Sequence, residues 1–438
     1  MRPPALEGSP GEQLTALFAN DPAVMANPEA IYRELREASC VHTLGPMALI
    51  TRNAAVREAW RDTGRLSSQT FLGSRAEDAL SRMNEEQRQA YRIVSEFESK
   101  YVSRSDGEQH LRLRRVIPHA FVPRRMAELR PRVQAIVDGL LGALDGQDEA
   151  DLSGFAWRLP LMVVGDLLEV SPEDIDRIHG WSSAIGRNRR GVEPEALMGA
   201  LDAIGEFRAY IEQAIERQRR SPRESMLVGE LLGAQEGDRL TAEELTAMFV
   251  ILLFAGHETT TGLIANGLSA LLRHPEQWRL LADDPDLAPA AVEELLRFAS
   301  PVQWAWRVAV ADYDCAGFVV PAGTTIALMI AAANRDPDAF ERPDELDLHR
   351  TDAGHHVAFG LGPHFCIGNA LARLEGEIAF RTLAQRFPRM EPTDQPLYWG
   401  GNAMLRQLAA VTVRLGTGAR ATAAGRRPAP GPAALHST

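Results

Sequence analysis

Cysteine is scarce in this sequence. Its 438 residues include only three, Cys40, Cys315 and Cys366, which is too few for the disulfide framework of a small secreted protein. A lone cysteine in ordinary surroundings is most often a buried structural residue, and we assign Cys40 and Cys315 to that class. A cysteine in special surroundings is a candidate metal ligand or reactive group, so the segment around Cys366 decides its role.

Long apolar runs are also missing. The longest lies around Met248 to Gly256 and is bracketed by charged residues on both sides, so it is too short to cross a bilayer. Residues Met1 to Gly11 contain no apolar stretch typical of a signal peptide. We therefore expect no membrane association and a cytoplasmic location.

Positive charge is in the minority. The chain has 47 Lys and Arg against 59 Asp and Glu, a net charge of −12, and no basic tail, so nucleic-acid binding is not expected. Neither an internal repeat nor a Gly/Ser linker interrupts the chain, which favours a single domain over residues 1–415. Residues 416–438 are rich in Gly, Ala, Pro and Arg and are predicted to form a disordered tail.

Helical patterns dominate the chain from about Asp151 to Arg297. The longest predicted helix runs from Thr241 to about Arg273, because Thr241 and Glu244 form a capping box and the apolar centre predicts burial. No periodic pattern is evident from Ser67 to Ser103. Segments rich in Val, Ile and Thr predict short strands at Met47–Thr51, Arg307–Val310, Phe318–Val320, Thr324–Leu328 and Ala409–Val413. The sequence therefore predicts a mainly α-helical fold with small β-sheets.

The most informative segment surrounds Cys366. Gly360 and Gly362 precede the cysteine and Gly368 follows it, so the backbone can turn tightly and come close to a flat cofactor. An amphipathic helix begins after Gly368, and the positive end of its dipole favours a thiolate. A structural cysteine would explain neither these glycines nor His364, whose imidazole N–H can bind a carboxylate.

The ten residues from Phe359 to Gly368 read FGLGPHFCIG. They resemble the cysteine loop of the cytochrome P450 family, the haem-thiolate monooxygenases, at every fixed position of the pattern F-G-x-G-x-H-x-C-x-G. The resemblance implies the family's triangular-prism fold and a haem b cofactor. It also implies Cys366 as the axial iron ligand, His364 as a propionate partner and Phe359 packed near the thiolate.

The predicted long helix carries a second mark of the family in Ala255-Gly256-His257-Glu258-Thr259-Thr260. The resemblance implies a local widening of the helix over the haem, where Glu258 and Thr259 deliver protons during O₂ activation. The alternative is a kink with a satisfied buried polar pair. His257 is expected to be a core or salt-linked histidine rather than a metal ligand.

Three cationic residues fit the same resemblance. His110 and Arg114 are four apart and share a helical face, and Arg307 lies in a strand-like segment. The resemblance assigns all three to the haem propionates, which as buried carboxylates need cationic partners. Taken singly, each could instead be a surface charge.

Other arginines near His110 predict a basic patch on an otherwise acidic protein. We expect an acidic electron-donor protein to dock there, guided by charge. The chain leaves no room for a fused flavin or iron–sulfur domain, so the resemblance implies a separate ferredoxin and an NAD(P)H-dependent ferredoxin reductase. The patch comprises Arg112, Arg115, Arg124 and Arg125.

Glu294 and Arg297 match the Glu-x-x-Arg pair that in this family clamps the region of the cysteine loop. The usual third member, an arginine in a Pro-x-Arg-Phe element, is missing, because the matching residues 343–346 read PDEL. Arg342 and Arg350 are the candidate substitutes. The alternative for Glu294 and Arg297 is an exposed ion pair of little energetic consequence.

The resemblance also places the substrate pocket. Its mostly apolar lining predicts a small, mainly hydrophobic ligand, with Gln303 as one polar handle. Trp304 and Trp306 are two apart on a predicted strand and are expected to be packing residues. The implied lining residues are Ile251, Phe254, Ala255, Val302, Gln303, Met404 and Leu405.

Three functions are compatible with these residues. The first is insertion of oxygen from O₂ into a small organic substrate in natural-product biosynthesis. The second uses the same haem chemistry for oxidative C–C or C–N coupling, cyclisation or dealkylation. The third is a haem-thiolate sensor or carrier without catalysis, against which Glu258 and Thr259 argue.

Overall fold

The computed structural model describes residues 8–117, 123–188, 194–220, 226–237, 239–395 and 397–416. Of the predicted tail at 416–438, all but the first residue lie outside these ranges. Within them, helices dominate and strands are short, which confirms the predicted fold class.

The helices carry most of the described chain and most of its buried apolar side chains. Their bounds are α1 (Gly8–Phe18), α2 (Pro22–Ala26), α3 (Glu29–Ala38), α4 (Asn53–Arg61), α5 (Ser74–Ser81), α6 (Glu85–Glu98), α7 (Gly107–Arg114), α8 (Pro123–Gly142), α9 (Ser153–Leu167), α10 (Ile175–Asn188), α11 (Pro194–Arg220), α12 (Met226–Glu236), α13 (Ala242–Arg273), α14 (Pro275–Asp283), α15 (Ala288–Phe298), α16 (Ile330–Ala333) and α17 (Asn369–Arg386).

In the described ranges the strands form four small sheets. Their bounds are β1 (Val41–Leu44), β2 (Met47–Ile50), β3 (Leu66–Ser67), β4 (Glu149–Asp151), β5 (Ala305–Ala309), β6 (Tyr313–Cys315), β7 (Phe318–Val320), β8 (Thr325–Leu328), β9 (Glu391–Pro392), β10 (Trp399–Gly401), β11 (Arg406–Leu408) and β12 (Thr412–Arg414). The largest sheet has the order β1-β2-β8-β5-β3, in which only β2 and β8 run parallel. The other sheets are β4-β12-β9, β10-β11 and β6-β7.

Four of the five predicted strands correspond to β2, β5, β7 and β8 to within two residues at each end. The fifth, Ala409–Val413, overlaps β12 only at Thr412 and Val413. The segment from Ser67 to Ser103, in which no periodic pattern was evident, contains the helices α5 and α6. A start signal for α6 is nevertheless present in the sequence, because Asn84 and Gln87 form a reciprocal capping box.

The longest helix, α13, begins where the sequence predicts. The Thr241 hydroxyl accepts the Glu244 backbone N–H at 3.1 Å, and the Glu244 carboxylate accepts the Thr241 backbone N–H at 2.9 Å. These bonds satisfy two of the donors that helix formation leaves without partners. Arg112 of α7 binds the same carboxylate through both terminal nitrogens, so the start of α13 is also tied to α7.

Helix α13 forms the centre of the core. By length and hydropathy it could span a membrane, but 78% of its most apolar window is buried inside the protein. It packs against α9, α11, α15 and α17. A Cβ added at Gly256 would lie 3.1 Å from Val164 of α9. The helix continues through Gly256, so close packing against α9 accounts for that glycine without a break in the helix.

Glu294 and Arg297 form a buried clamp rather than an exposed ion pair. Arg297 donates to both carboxylate oxygens of Glu294 at 2.7 and 2.8 Å, and neither side chain is more than 1% exposed. Arg297 also donates to the carbonyls of Asn334, Pro343 and Glu345. The pair therefore holds α15 against the chain that leads to the cysteine loop.

Arg350 takes the place of the missing third arginine. Its Nε donates to Glu294 Oε1 at 3.2 Å, and its side chain is only 5% exposed. The other candidate, Arg342, pairs instead with Glu345 at the surface, where both side chains are more than half exposed. Glu294 is thus a buried carboxylate between two guanidinium groups.

Replacement of Arg350 by alanine removes one of these two partners from a buried carboxylate. We expect Arg350→Ala to lower the free energy of unfolding by about 3 kcal/mol, because an incompletely paired buried charge is costly. Arg342→Ala removes an exposed ion pair and should change the free energy of unfolding by less than about 1 kcal/mol. Denaturant unfolding followed by circular dichroism compares the two, and equal losses would contradict the assignment of Arg350.

Candidate active site

A cavity of about 470 Å³ lies between the middle of α13 and the loop that carries Cys366. Further parts of its wall come from α5, α6, α7, β5 and the first turns of α17. The cavity therefore joins segments that are far apart in the chain.

Cys366 lies three residues before α17, as predicted, and lines this cavity. Its backbone N–H donates to the Phe359 carbonyl at 2.9 Å, which closes the loop. Gly360 and Gly362 have φ angles of +65° and +69°. Residues other than glycine rarely adopt this left-handed backbone conformation. A Cβ at Gly360 would also lie 3.2 Å from the indole of Trp60, so the turn depends on glycine for both conformation and space.

The electrostatics of Cys366 suit a metal ligand. Burial raises the pKa of its thiol, although the Gly368 N–H and the guanidinium groups of Arg114 and Arg373 act in the opposite direction. A thiol with a raised pKa is protonated at neutral pH and loses its proton when a metal cation binds. The loop therefore provides a buried sulfur that ionises on metal binding.

The four predicted propionate partners meet at this cavity, which His110, Arg114, Arg307 and His364 all line. The rings of His110 and His364 stack with centroids 4.0 Å apart, and Arg114 donates to the Phe365 carbonyl in the cysteine loop at 2.6 Å. His364 Nε2 also lies 3.5 Å from Asp106.

Two of these residues, Arg307 and His110, are short of counter-charge. Burial lowers the pKa of Arg307 to about 10. Burial, together with His364 and Arg114, lowers the pKa of His110 to about 4. Among the described residues, the buried His110 Nε2 has no hydrogen-bond partner. A flat cofactor with two carboxylates and a central iron fits these donors, because the carboxylates meet the cations and the iron meets the sulfur.

The predicted proton-delivery pair is divided between two sides of α13. Thr259 lines the cavity, and its hydroxyl donates to the Ala255 carbonyl at 2.9 Å. Glu258 does not line the cavity but lies buried behind it, where it accepts a bond from Gln407 at 3.3 Å. Burial would raise the pKa of Glu258, but the imidazoles of His257 and His179 hold that pKa below its usual value.

Six of the seven predicted pocket residues line the cavity, namely Ile251, Phe254, Ala255, Val302, Met404 and Leu405. The prediction for Gln303 is wrong. Its amide accepts the Tyr32 hydroxyl at 3.0 Å and donates to the Ser300 carbonyl at 2.5 Å inside the protein, so its polar atoms already have partners. Trp304 and Trp306 pack against Phe18, as expected, but also line the cavity.

A polar part of the cavity wall was missed from the sequence. Arg75 of α5 lies over the Trp306 ring at 4.8 Å, and Glu98 of α6 forms an ion pair with Arg104 at 3.1 Å. Only the capping box of α6 could have indicated that this segment is ordered. Glu375 of α17 also lines the cavity, and complete burial raises its pKa well above the usual value.

The predicted basic patch is largely neutralised. Arg112 is bound to Glu244, and both Arg124 and Arg125 pair with Glu128. Arg115 is exposed, and no ion-pair partner for it occurs in the described part of the chain. It directly follows Arg114, which contacts the cysteine loop, so this one cation remains available beside the site.

Comparisons with known proteins give one consistent result. A family model described as "Cytochrome P450" matches residues 194–398. The vitamin D(3) 25-hydroxylase of Pseudonocardia autotrophica is 41% identical over 83% of this chain and 87% of its own length. The cytochrome P450 monooxygenase PikC of Streptomyces venezuelae is 43% identical over 74% of this chain and 77% of its own.

The solved structures agree with this result. The cytochrome P450 enzyme CxnD, described as forming a C–S bond in chuangxinmycin biosynthesis, superposes with a TM-score of 0.79 and 33% identity. The match covers 89% of this chain and 94% of CxnD, so the fold is shared over nearly the whole of both proteins.

The contact between Gly360 and Trp60 can be tested by adding one methyl group. Gly360→Ala and Gly45→Ala both place alanine at a positive φ, which costs about 1–2 kcal/mol, but only Gly360 faces a side chain. We expect Gly360→Ala to be less stable than Gly45→Ala by a further 1–3 kcal/mol or so, because overpacking adds to the strain. Denaturant unfolding measures the difference, and equal stabilities would show that the loop does not contact Trp60.

Proposed function

The chain belongs to the cytochrome P450 family of haem-thiolate monooxygenases, and from this we propose that Cys366 holds the iron of haem b while one oxygen atom of O₂ is inserted into a mainly apolar molecule of secondary metabolism. The observation that carries the proposal is the position of Cys366. Its buried sulfur lines the same cavity as Thr259 of α13 and the four propionate-binding candidates.

When bound, haem supplies O₂ activation at an iron whose thiolate ligand donates electron density. The chain's own residues hold and orient it. Arg114 and Arg307 provide guanidinium groups that can bind carboxylates bidentately, and His110 and His364 add imidazole donors. Phe359, covered by the Arg373 guanidinium at 4.4 Å, lines the cavity together with Cys366.

Glu258 and Thr259 are proposed to carry protons into the cavity. The Thr259 hydroxyl lies at the wall, whereas the Glu258 carboxylate lies behind it among buried polar groups. Because its pKa is held below the usual value, the Glu258 carboxylate is ionised at neutral pH. Its oxygens accept hydrogen bonds behind the wall, and we propose that protons are relayed along such bonds to the threonine side of the helix.

The lining of the cavity defines the substrate class. Ile251, Phe254 and Leu405 contribute apolar surface, whereas Arg75 and Glu98 give one side a polar character. Such a pocket suits a mainly apolar molecule that carries a polar group at one end. A relative named for the hydroxylation of vitamin D(3) and another named a P450 monooxygenase support oxygen insertion.

The thiolate ligand can be tested by exchanging sulfur for oxygen. We expect Cys366→Ser to abolish the carbon monoxide spectrum typical of thiolate-ligated haem, because a serine hydroxyl does not replace a thiolate on iron. Cys40→Ser alters a partly buried thiol outside the cavity and should keep the spectrum. A haem–carbon monoxide complex that is unchanged in Cys366→Ser would rule out this ligand.

A second outcome of the same chemistry is oxidative coupling, which the similarity to a C–S bond-forming enzyme favours. Turnover with isotope-labelled O₂ separates the two functions. We expect one labelled oxygen atom in the product, and an unlabelled coupled or cyclised product would support the second function. No product and no substrate-dependent electron uptake, with a complete redox chain supplied, would instead indicate a sensor or carrier.

Bacterial members of this family receive electrons from redox partners, and we infer a ferredoxin and an NAD(P)H-dependent ferredoxin reductase as separate proteins. We also infer a soluble, cytoplasmic protein, since its most apolar helix is a core helix.

Arg115 is the cation that we expect the ferredoxin to contact. Arg115→Glu should slow reduction by ferredoxin at least about tenfold at low salt, because repulsion replaces attraction during docking. Arg82→Glu changes an exposed arginine that directly follows α5 and should have little effect. Stopped-flow reduction at several ionic strengths measures both, and a rate insensitive to salt and to Arg115→Glu would exclude this docking surface.

A further inference from the structure

Behind the cavity wall, three potential metal-ligand atoms converge. His179 on α10 and His257 and Glu258 on α13 each offer one ligand atom, and the three atoms lie within 4.8 Å of one another. Their buried atoms without other partners among the described residues are His179 Nδ1, His257 Nε2 and Glu258 Oε1. The His257 and Glu258 atoms are 3.3 Å apart. All three atoms are buried, and apart from the approach of Nε2 to Oε1 none has a hydrogen-bond partner within the described part of the chain.

The position of the hydrogen on the His257 ring determines which ring nitrogen faces Glu258. Its Nδ1 lies 2.8 Å from the Leu253 carbonyl, and because a carbonyl can only accept, Nδ1 must carry the hydrogen. Nε2 is therefore the ring nitrogen that faces Oε1 of Glu258, at 3.3 Å. A cation between Nε2 and Oε1, either a proton or a metal ion, would satisfy both atoms, and the third ligand atom from His179 favours a metal ion.

His179 completes the set as a neutral donor. Burial and the neighbouring His257 both lower the pKa of His179, so its imidazole is uncharged at neutral pH, as metal ligation requires. The residue as a whole is only partly buried. This gives an ion a route from solvent and lets the ring move the short distance that closes a coordination sphere.

We propose that His179, His257 and Glu258 bind a divalent transition metal, best matched by Zn²⁺, at a site separate from Cys366. Two imidazoles and one carboxylate are a known zinc donor set that leaves a fourth position for water. Ligand atoms about 2.0–2.1 Å from a tetrahedral zinc ion lie roughly 3.3 Å apart, which is the separation of the His257 and Glu258 atoms.

The surroundings orient each ligand. The Leu253 carbonyl fixes the ring of His257, and Gln407 donates to the other oxygen of Glu258 at 3.3 Å. Trp157 stacks on His179 with centroids 4.1 Å apart and planes inclined by 8°. Hydrogen bonds of this kind fix the tautomer and direction of metal ligands, whereas the stack on Trp157 fixes only the plane of the His179 ring. The neighbouring Arg158 and Asp176 pair with each other at 2.7 Å, so Glu258 contributes the negative charge of the site.

The matched variants are His179→Gln, Glu258→Gln and His274→Gln. The first two each remove one ligand while keeping a side chain of similar size. His274 is the control, because its Nδ1 also lies 2.8 Å from the carbonyl four residues earlier but it belongs to no cluster of metal-ligating groups in the described residues. The carbon monoxide spectrum shows whether each variant is folded and loaded with haem.

Equilibrium dialysis of the tag-free holoenzyme against Zn²⁺ tests the site. We expect one Zn²⁺ per chain, with affinity weakened at least about 100-fold in His179→Gln and Glu258→Gln and unchanged in His274→Gln. X-ray absorption at the zinc edge should show nitrogen and oxygen ligands only. Absence of binding, equal losses in all three variants, or a sulfur ligand at about 2.3 Å would each overturn the proposal.

A bound ion would occupy the carboxylate to which we assign proton transfer. We therefore expect Zn²⁺ to raise the fraction of consumed NAD(P)H that ends as hydrogen peroxide, in the unmodified enzyme but not in His179→Gln. This effect rests on the proposed function, whereas the dialysis and absorption measurements do not. If Zn²⁺ binds at this site and peroxide release does not change, the metal site is supported and the role of Glu258 in proton transfer is rejected.

Discussion

Cys366 can ligate a metal only if the turn that carries it holds a buried sulfur at the wall of the cavity. Two glycines in the left-handed region, the bond from the Cys366 N–H to the Phe359 carbonyl and the start of α17 together fix that position. Burial alone disfavours the thiolate, so the charge on the sulfur depends on the cation that it binds. The rest of the structure can be understood as the support for this loop.

Buried ionic groups provide much of that support. Glu294 is enclosed between Arg297 and Arg350, and the carbonyls that Arg297 binds belong to the chain leading to the cysteine loop. Pairs of this kind add little net stability, because removing charges from water offsets their attraction. Their strict geometry instead favours one arrangement of the loop, which is what a precisely placed ligand requires.

Helix α13 serves the core and the site at the same time. One side presents Ile251, Phe254 and Thr259 to the cavity, while His257 and Glu258 lie on another side, facing α10 and β11. A helix that is apolar all round must be buried, and its few polar groups then need partners. The buried polar groups behind the cavity are thus where proton transfer and cation binding can meet.

The sequence by itself determined the features that depend on residues close together along the chain. The cysteine loop, the capping box of α13 and most strands follow from local backbone preferences, and the resemblance to a family supplied the residues that meet at the cavity. Only the tertiary structure decided which polar side chain pairs with which partner. Arg350 replaced the missing arginine, Gln303 turned away from the pocket, Glu244 neutralised Arg112, and His179 met His257 across two helices. A buried polar group takes whichever partner folding brings within about 3 Å, and that proximity is a property of the whole chain.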